Sequence, residues 1–222
     1  MLSCRGVGKT YRAERGPVDA VRGIDLDVGA GRYAAMIGRS GSGKSSLMAM
    51  IGGLSRPSAG KVMIDGTDIW SLRDDAMALF RNRRIGYVFQ FASLLPTLRA
   101  IDNVALPAML ARGGDRSRIH ARAAELLGAV GLGEHHDAYP SEMSAGEQRR
   151  AVIARALIND PVLLLADEPT SDLDEQTESE IMALLLAVNR ERGTTLMLVT
   201  HNLALAGEVE QVIHIADGAI VP

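Results

Sequence analysis

The chain has 222 residues, of which 47% are hydrophobic and 23% charged, with a formal net charge of −3. That length supports a sizeable core, as one two-lobed domain or as two domains, and the charge balance excludes a general attraction for nucleic acid or anionic lipid, so no nucleic-acid partner is expected. No apolar run approaches the roughly 18 residues needed to span a bilayer, the N-terminus lacks a secretory hydrophobic segment, and the single cysteine, Cys4, forms no internal disulfide. A reducing, cytosolic setting is expected, with any membrane role supplied by a partner.

The chain opens with strand signals. Leu2 and Cys4 alternate with polar neighbours, as do Ile24, Leu26 and Val28, and Gly16-Pro17 reads as the turn between the two sets. Tyr11 precedes that turn. In a chain only 4% aromatic it is either a surface residue or a stacking partner for a planar ligand such as adenine.

The next stretch is the most specific. Gly38-Arg39-Ser40-Gly41-Ser42-Gly43-Lys44-Ser45-Ser46 fits G-x-x-x-x-G-K-[ST], the phosphate-binding loop. Residues 34–37 read as a buried strand before it, and 46–54 as a helix after it, with Leu47, Met50, Ile51 and Leu54 at helical spacing. Glycines let successive N–H groups turn inward on an anion, and the helix N-terminus adds its positive end. Lys44 would reach the β- and γ-phosphates, and the Ser45 hydroxyl would ligate Mg²⁺. Only three of the 24 basic residues are lysines, so a Lys here is not compositional noise.

Pro57 and Gly60 break the chain, and Val62 and Ile64 run into an Asp65-Gly66 hairpin turn. Residues 85–89 form a short strand that Gln90 ends, opening the apolar loop 91–98. Residues 101–130 are helix-rich and read as a lobe apart from the sheet. Ser144 followed by Glu147 is a capping box, starting a helix that runs to about Ile158. The unbroken apolar run Val162-Leu163-Leu164-Leu165-Ala166 reads as a strand buried on both faces, as in a parallel sheet. Asp167 and Glu168 end it, a costly pairing best explained by a neighbouring Mg²⁺. A second apolar strand, 195–199, ends before His201. The chain closes on a hairpin about Asp217-Gly218.

Together these residues resemble an ABC-type ATPase subunit over essentially the whole chain. Tyr11 matches the family's adenine-stacking aromatic, Gly38 to Ser45 its Walker A loop, and Gln90 its Q-loop. Ser144, Ala145, Gly146, Glu147 and Gln148 match its signature motif, and Leu163 to Glu168 its Walker B strand with the catalytic Glu. Ser171, Asp172, Leu173 and Asp174 match its D-loop, and His201 its switch histidine. Residues 87–91, 94–98 and 102–104 look like the branch holding lipoprotein-releasing, macrolide-efflux and cell-division ATPases. Four positions depart from the family pattern: Met143 for Leu, Ala145 for Gly, Asp172 for an uncharged residue, and Ser46 for Thr.

The resemblance implies an α/β fold, a P-loop NTPase core with a mainly parallel sheet, an antiparallel β lobe, and a helical subdomain inserted at about 91–158 in a single 1–222 nucleotide-binding domain. It implies ATP and Mg²⁺ as ligands. Glu168 would activate water, Asp167 would hold Mg²⁺ through water, Gln90 would sense Mg²⁺ and the water, and His201 would contact the γ-phosphate. A homodimer would close on ATP, the Ser144 helix of one copy facing the Walker A loop of the other. The partner would be a separate integral membrane permease, docked at loop 91–98 through Phe91, Leu94 and Leu95, which would hold the subunit at the cytoplasmic face of the membrane. The activity expected is ATP hydrolysis that powers an exporter or lipoprotein-extracting complex; a regulatory subunit transmitting force without transport is the alternative. A nucleoside kinase would lack the signature motif, and a chromosome-maintenance ATPase would split its lobes with a long coiled coil.

Overall fold

The computed structural model describes residues 1–13, 16–111, 114–200 and 209–221. Four strands, β1 (Leu2–Ala13), β2 (Gly16–Val28), β4 (Ala59–Ile64) and β5 (Thr67–Asp68), form an antiparallel sheet in the order β2-β1-β4-β5. A second sheet has the order β10-β9-β3-β8-β7-β6, built from β3 (Tyr33–Ile37), β6 (Ile85–Val88), β7 (Leu163–Asp167), β8 (Thr195–Val199), β9 (Gln211–Ala216) and β10 (Ala219–Val221). It is parallel from β9 to β6, and only β10 runs antiparallel, against β9. The α-helices among the described residues are α1 (Lys44–Ile51), α2 (Asp74–Arg84), α3 (Ala100–Leu110), α4 (Arg116–Ala129), α5 (Ala145–Leu157) and α6 (Glu175–Arg192). This is the expected α/β architecture.

Alternation explains why β7 is apolar throughout. Leu163 and Leu165 face one core with α1 and the antiparallel sheet, while Leu164 and Ala166 face a second core with α4, α5 and α6. Each fully buried Leu contributes about 1.5–3 kcal/mol. That second core also takes in Leu126, Leu127, Val152 and Leu198, so the helical lobe and one face of the sheet share a single packed cluster. Cys4 is fully buried, and desolvation pushes its thiol up to about 12, leaving it unreactive.

Several local expectations are corrected. Gly16 and Pro17 are not the turn: they open β2, paired with Ala13 and Arg12. Gly60 lies within β4 rather than breaking it. Helix α1 starts at Lys44 and stops at Ile51, leaving Leu54 exposed. Helices α2 and α6 were not expected. The first buries only Met77, so it has no apolar periodicity, although Asp74 and Asp75 at its start and Arg81, Arg83 and Arg84 at its end complement the helix dipole. The second carries full signals: an Asp174 N-cap, Ile181, Leu185 and Val188 along one face, and Gly193 left-handed at its end.

Leu164→Ala should cost about 2–5 kcal/mol in urea unfolding, as large-to-small changes in a packed core do. Because one cluster joins β7 to α4, amide exchange at Leu126 and Leu127 should rise as well; unchanged protection there would mean that the lobe has its own independent core.

Candidate active site

The phosphate loop leaves the buried end of β3 and enters α1 through Gly43, which has φ 105°. A Cβ on Gly43 would lie 2.3 Å from the Ala20 carbonyl oxygen of β2, so only glycine lets the loop turn that closely under the strand. Gly218, in the β9–β10 turn, donates its N–H to the Ser42 carbonyl at 2.9 Å, bracing the loop from the other side. Ser42 is buried and its Oγ has no partner among the described residues. The Lys44 ammonium, also buried, donates to the carbonyls of Gly38 at 2.8 Å and Arg39 at 3.0 Å. The loop thus gathers the N-terminus of α1 and the Lys44 ammonium, two sources of positive charge, in one place.

Across β8, the strand between β3 and β7, stands Asp167. The Ser45 hydroxyl reaches its Oδ1 at 3.4 Å. Burial pushes the Asp167 carboxyl above its usual range; Ser45 opposes that, Glu168 adds to it and Lys44 opposes it. Glu168 follows in a left-handed conformation, φ 45°, with its N–H bonded to the Val199 carbonyl at 3.0 Å. A non-glycine residue held there costs on the order of 1–3 kcal/mol, which the surrounding sheet edge must offset. The Gln90 amide donates to Glu168 Oε2 at 3.4 Å. Ser45, Asp167, Glu168 and Gln90 therefore converge. Such a loop facing strand-end carboxylates is the arrangement of a P-loop NTPase.

Tyr11, 41% exposed, stands beside this loop with its hydroxyl 3.4 Å from Ser46 Oγ and Lys9 Nζ 5.1 Å from its ring centre. His201 lies outside the described residues.

The stretch from Ser144 to Gln148 sits elsewhere. Ser144 N–H donates to Glu147 Oε2 at 2.7 Å and Glu147 N–H to Ser144 Oγ at 3.3 Å, a reciprocal capping box opening α5. Gln148 ties the turn to the carbonyls of Pro140 and Met143. Among the described residues no hydrogen bond or ion pair joins 144–148 to loop 38–46. Ala145 is exposed, whereas a Cβ on Gly146 would lie 2.7 Å from Thr177 Cγ2. Thr177 cannot easily yield, because its N–H and hydroxyl both bond the carboxylate of Asp174, the N-cap of α6. In the same loop Ser171 and Leu173 donate N–H groups to the carbonyls of Glu168 and Thr170, while Asp172 is exposed.

Two functional features were missed from sequence. Arg149 donates to the backbone carbonyls of Phe89 and Gln90. A groove of about 920 Å³ opens between α2, β6 and α3, with Leu54, Leu79, Phe89, Leu106 and Leu110 on its walls. Loop 91–98 is not its main lining. Only Ser93 of that loop contributes, and Leu94 is a core residue, 9% exposed, because it turns inward against the cluster holding Val104 and Leu126.

Residues 21–171 match the family model described as ABC transporter. The chain is 45% identical over 221 residues to the lipoprotein-releasing system ATP-binding protein LolD of Geobacter metallireducens, covering 100% of this chain and 98% of that protein. It is 44% identical over 223 residues to the macrolide export ATP-binding/permease protein MacB of Syntrophobacter fumaroxidans, covering 100% of this chain but only 31% of that protein's length. The dimeric post-hydrolysis state of the ATP-binding cassette MJ0796, bound to ADP and Pi, is similar with a TM-score of 0.93 and 37% identity, covering 100% of this chain and 97% of that one. The chain belongs to the ABC transporter family. It is an ATP-hydrolysing cassette.

Ala145→Gly should leave steady-state ATP hydrolysis within tenfold of the parent, about 1.4 kcal/mol, since no neighbour meets that side chain. Gly146→Ala should lower it by more than that, because the new methyl pushes α5 off Thr177. Equal effects at the two positions would remove the steric distinction between them.

Proposed function

We propose that this chain is the ATP-hydrolysing subunit of a lipoprotein-extracting or efflux complex, acting as a pair of identical copies beneath a membrane permease. The observation that carries the reading is the convergence of Ser45, Asp167, Glu168 and Gln90 beside the phosphate loop, with the capped α5 turn making no bond to that loop in the same copy. A second copy facing the first would bring the Ser144 helix N-terminus to the bound γ-phosphate, where its N–H groups complete the anion site.

In this reading the N–H groups of 38–46 cradle the β- and γ-phosphates, Lys44 offsets their charge, and Tyr11 stacks on the adenine. Water attacks the γ-phosphorus in line, the bond to the β-bridging oxygen breaks, and Glu168 accepts the proton of the attacking water. The Gln90 amide holds the Glu168 carboxylate toward that water. Mg²⁺ fits the donor set: the Ser45 hydroxyl, the Asp167 carboxylate and the Gln90 amide oxygen are the oxygen donors that a hard cation keeping waters and substrate phosphates takes. Held by these residues, it would supply neutralisation of the phosphate charge. His201 is assigned to the γ-phosphate and Asp172 to the dimer interface by the family pattern.

Among the described residues no helix is long and apolar enough to cross a membrane. The groove against α2 and α3 suits an amphipathic helix of the permease, with Leu79 40% and Leu110 71% exposed on its walls. Relatives named as ATP-binding proteins of lipoprotein-releasing and macrolide export systems support the class of complex.

Glu168→Gln tests the site. It should bind Mg²⁺–ATP yet hydrolyse it about 10²–10⁴-fold more slowly, as for loss of a general base. Light scattering after gel filtration should then find a dimer that persists in ATP, whereas the parent in ADP should be largely monomeric. Hydrolysis at the parental rate would take Glu168 out of the reaction, and a protein that stays monomeric in saturating ATP would end the composite-site reading.

Leu79→Glu tests the groove: basal hydrolysis should be unchanged while binding and stimulation by the permease are lost. Normal stimulation would place the partner elsewhere.

A further inference from the structure

Among the described residues only two cationic side chains are buried, Lys44 in the phosphate loop and Arg149 on α5, which is 3% exposed. A guanidinium removed from water is tolerated only when its donors are met. Arg149 meets its two Nη groups with backbone: Nη1 donates to the Phe89 carbonyl and Nη2 to the Gln90 carbonyl, each at 2.5 Å, while Nε is buried with no partner among the described residues. These two carbonyls lie where the chain leaves β6 and has no further sheet ladder to join. On the same helix Arg155 repeats the device, donating to Ser93 O at 2.7 Å and Ser93 Oγ at 2.6 Å. The segment 89–93 therefore hangs from α5 by two arginines. Burial pushes the Arg149 guanidinium below its ordinary value, and the charge of Asp172 in the loop before α6 opposes that shift.

We propose that Arg149 is a positioning residue for Gln90: its planar fork fixes the consecutive carbonyls of Phe89 and Gln90 to the helix that begins at Ser144, so that the Gln90 amide reaches Glu168 only while that helix is docked. The proposal rests on reading Gln90 and Glu168 as part of the hydrolytic site. Arginine is required because two diverging N–H donors match two adjacent carbonyls, whereas a lysine is a single point charge that cannot bridge them in one plane.

The test is steady-state hydrolysis of Mg²⁺–ATP by the full chain with Arg149→Lys, Arg149→Met, Gln90→Ala and the double variant Arg149→Lys/Gln90→Ala, with thermal unfolding measured alongside. Arg149→Met removes the guanidinium from both carbonyls; if it fails to fold, Arg149→Lys, which keeps the charge, carries the test. Arg149→Lys should lower kcat by about tenfold or more, the scale of an ångström-level misplacement, while KM stays within about threefold. In the Gln90→Ala background the same change should cost nothing further, because the group through which Arg149 acts is gone. Equal fold losses in both backgrounds, or an unchanged kcat in Arg149→Lys while Gln90→Ala is impaired, would overturn the positioning role and leave the site reading standing. A Gln90→Ala protein with parental kcat would overturn both.

Discussion

Parallel strands deliver their carboxyl ends to one edge of a sheet, and in this chain that geometry fixes every distance in the site. β3 ends at Ile37 and releases the phosphate loop, β7 ends on Asp167, and β8, between them, supplies the Val199 carbonyl that holds the Glu168 backbone. β6 lies beside β7 and ends just before Gln90. Two neighbouring strand spacings, on the order of 10 Å in all, separate β3 from β7, and a serine on the first turn of α1 closes the remaining gap to the carboxylate. The burial that makes the strands rigid also raises the Asp167 carboxyl, so one physical cause sets both the position and the charge preference of the site. Ligand sites at the carboxyl edge of open α/β sheets follow from this rule in general.

How much of this was legible depended on whether a feature is local. The phosphate loop, the β7 run, the Ser144–Glu147 capping box and the closing hairpin are each encoded in contiguous residues, and each stands where its pattern put it. Helix α6 was equally local, with its Asp174 cap and Gly193 terminus, but the stretch was read only for its loop. Helix α2 was not legible by periodicity, since one buried methionine makes no stripe. Leu94 and Leu95 look alike in sequence, yet one faces the core and the other solvent, a choice made by how the loop packs on α3. Arg149 and its neighbour Arg150 are identical on the page. Only the fold distinguishes them, because the carbonyls that Arg149 meets are 59 and 60 residues away.

The departures from the family pattern have different physical standing. Met143 is buried in the leucine's place, a volume-conserving exchange that cores absorb at under about 1.5 kcal/mol. Ala145 faces solvent and keeps its N–H, so the helix N-terminus loses no donor. The neighbouring Gly146 has no such latitude, since α6 stands against it. Asp172 is different again. It is exposed, and its charge opposes the downward shift that burial imposes on the Arg149 guanidinium.

Phe89 is where the groove and the reaction meet. Its ring stacks on Tyr87 at 4.1 Å on the floor of the groove, while its carbonyl is held by Arg149 and its successor is Gln90. Arg155 and Ser93 stand on the same groove wall and form the second tie to α5. A helix pressed into the groove therefore bears on the very segment whose backbone sets the Gln90 amide against Glu168. The coupling needs no long pathway. If the proposed permease helix sits there, the coupling would pass through one peptide unit, with the Phe89 ring in the groove, its carbonyl on α5, and the next side chain, Gln90, on the Glu168 carboxylate.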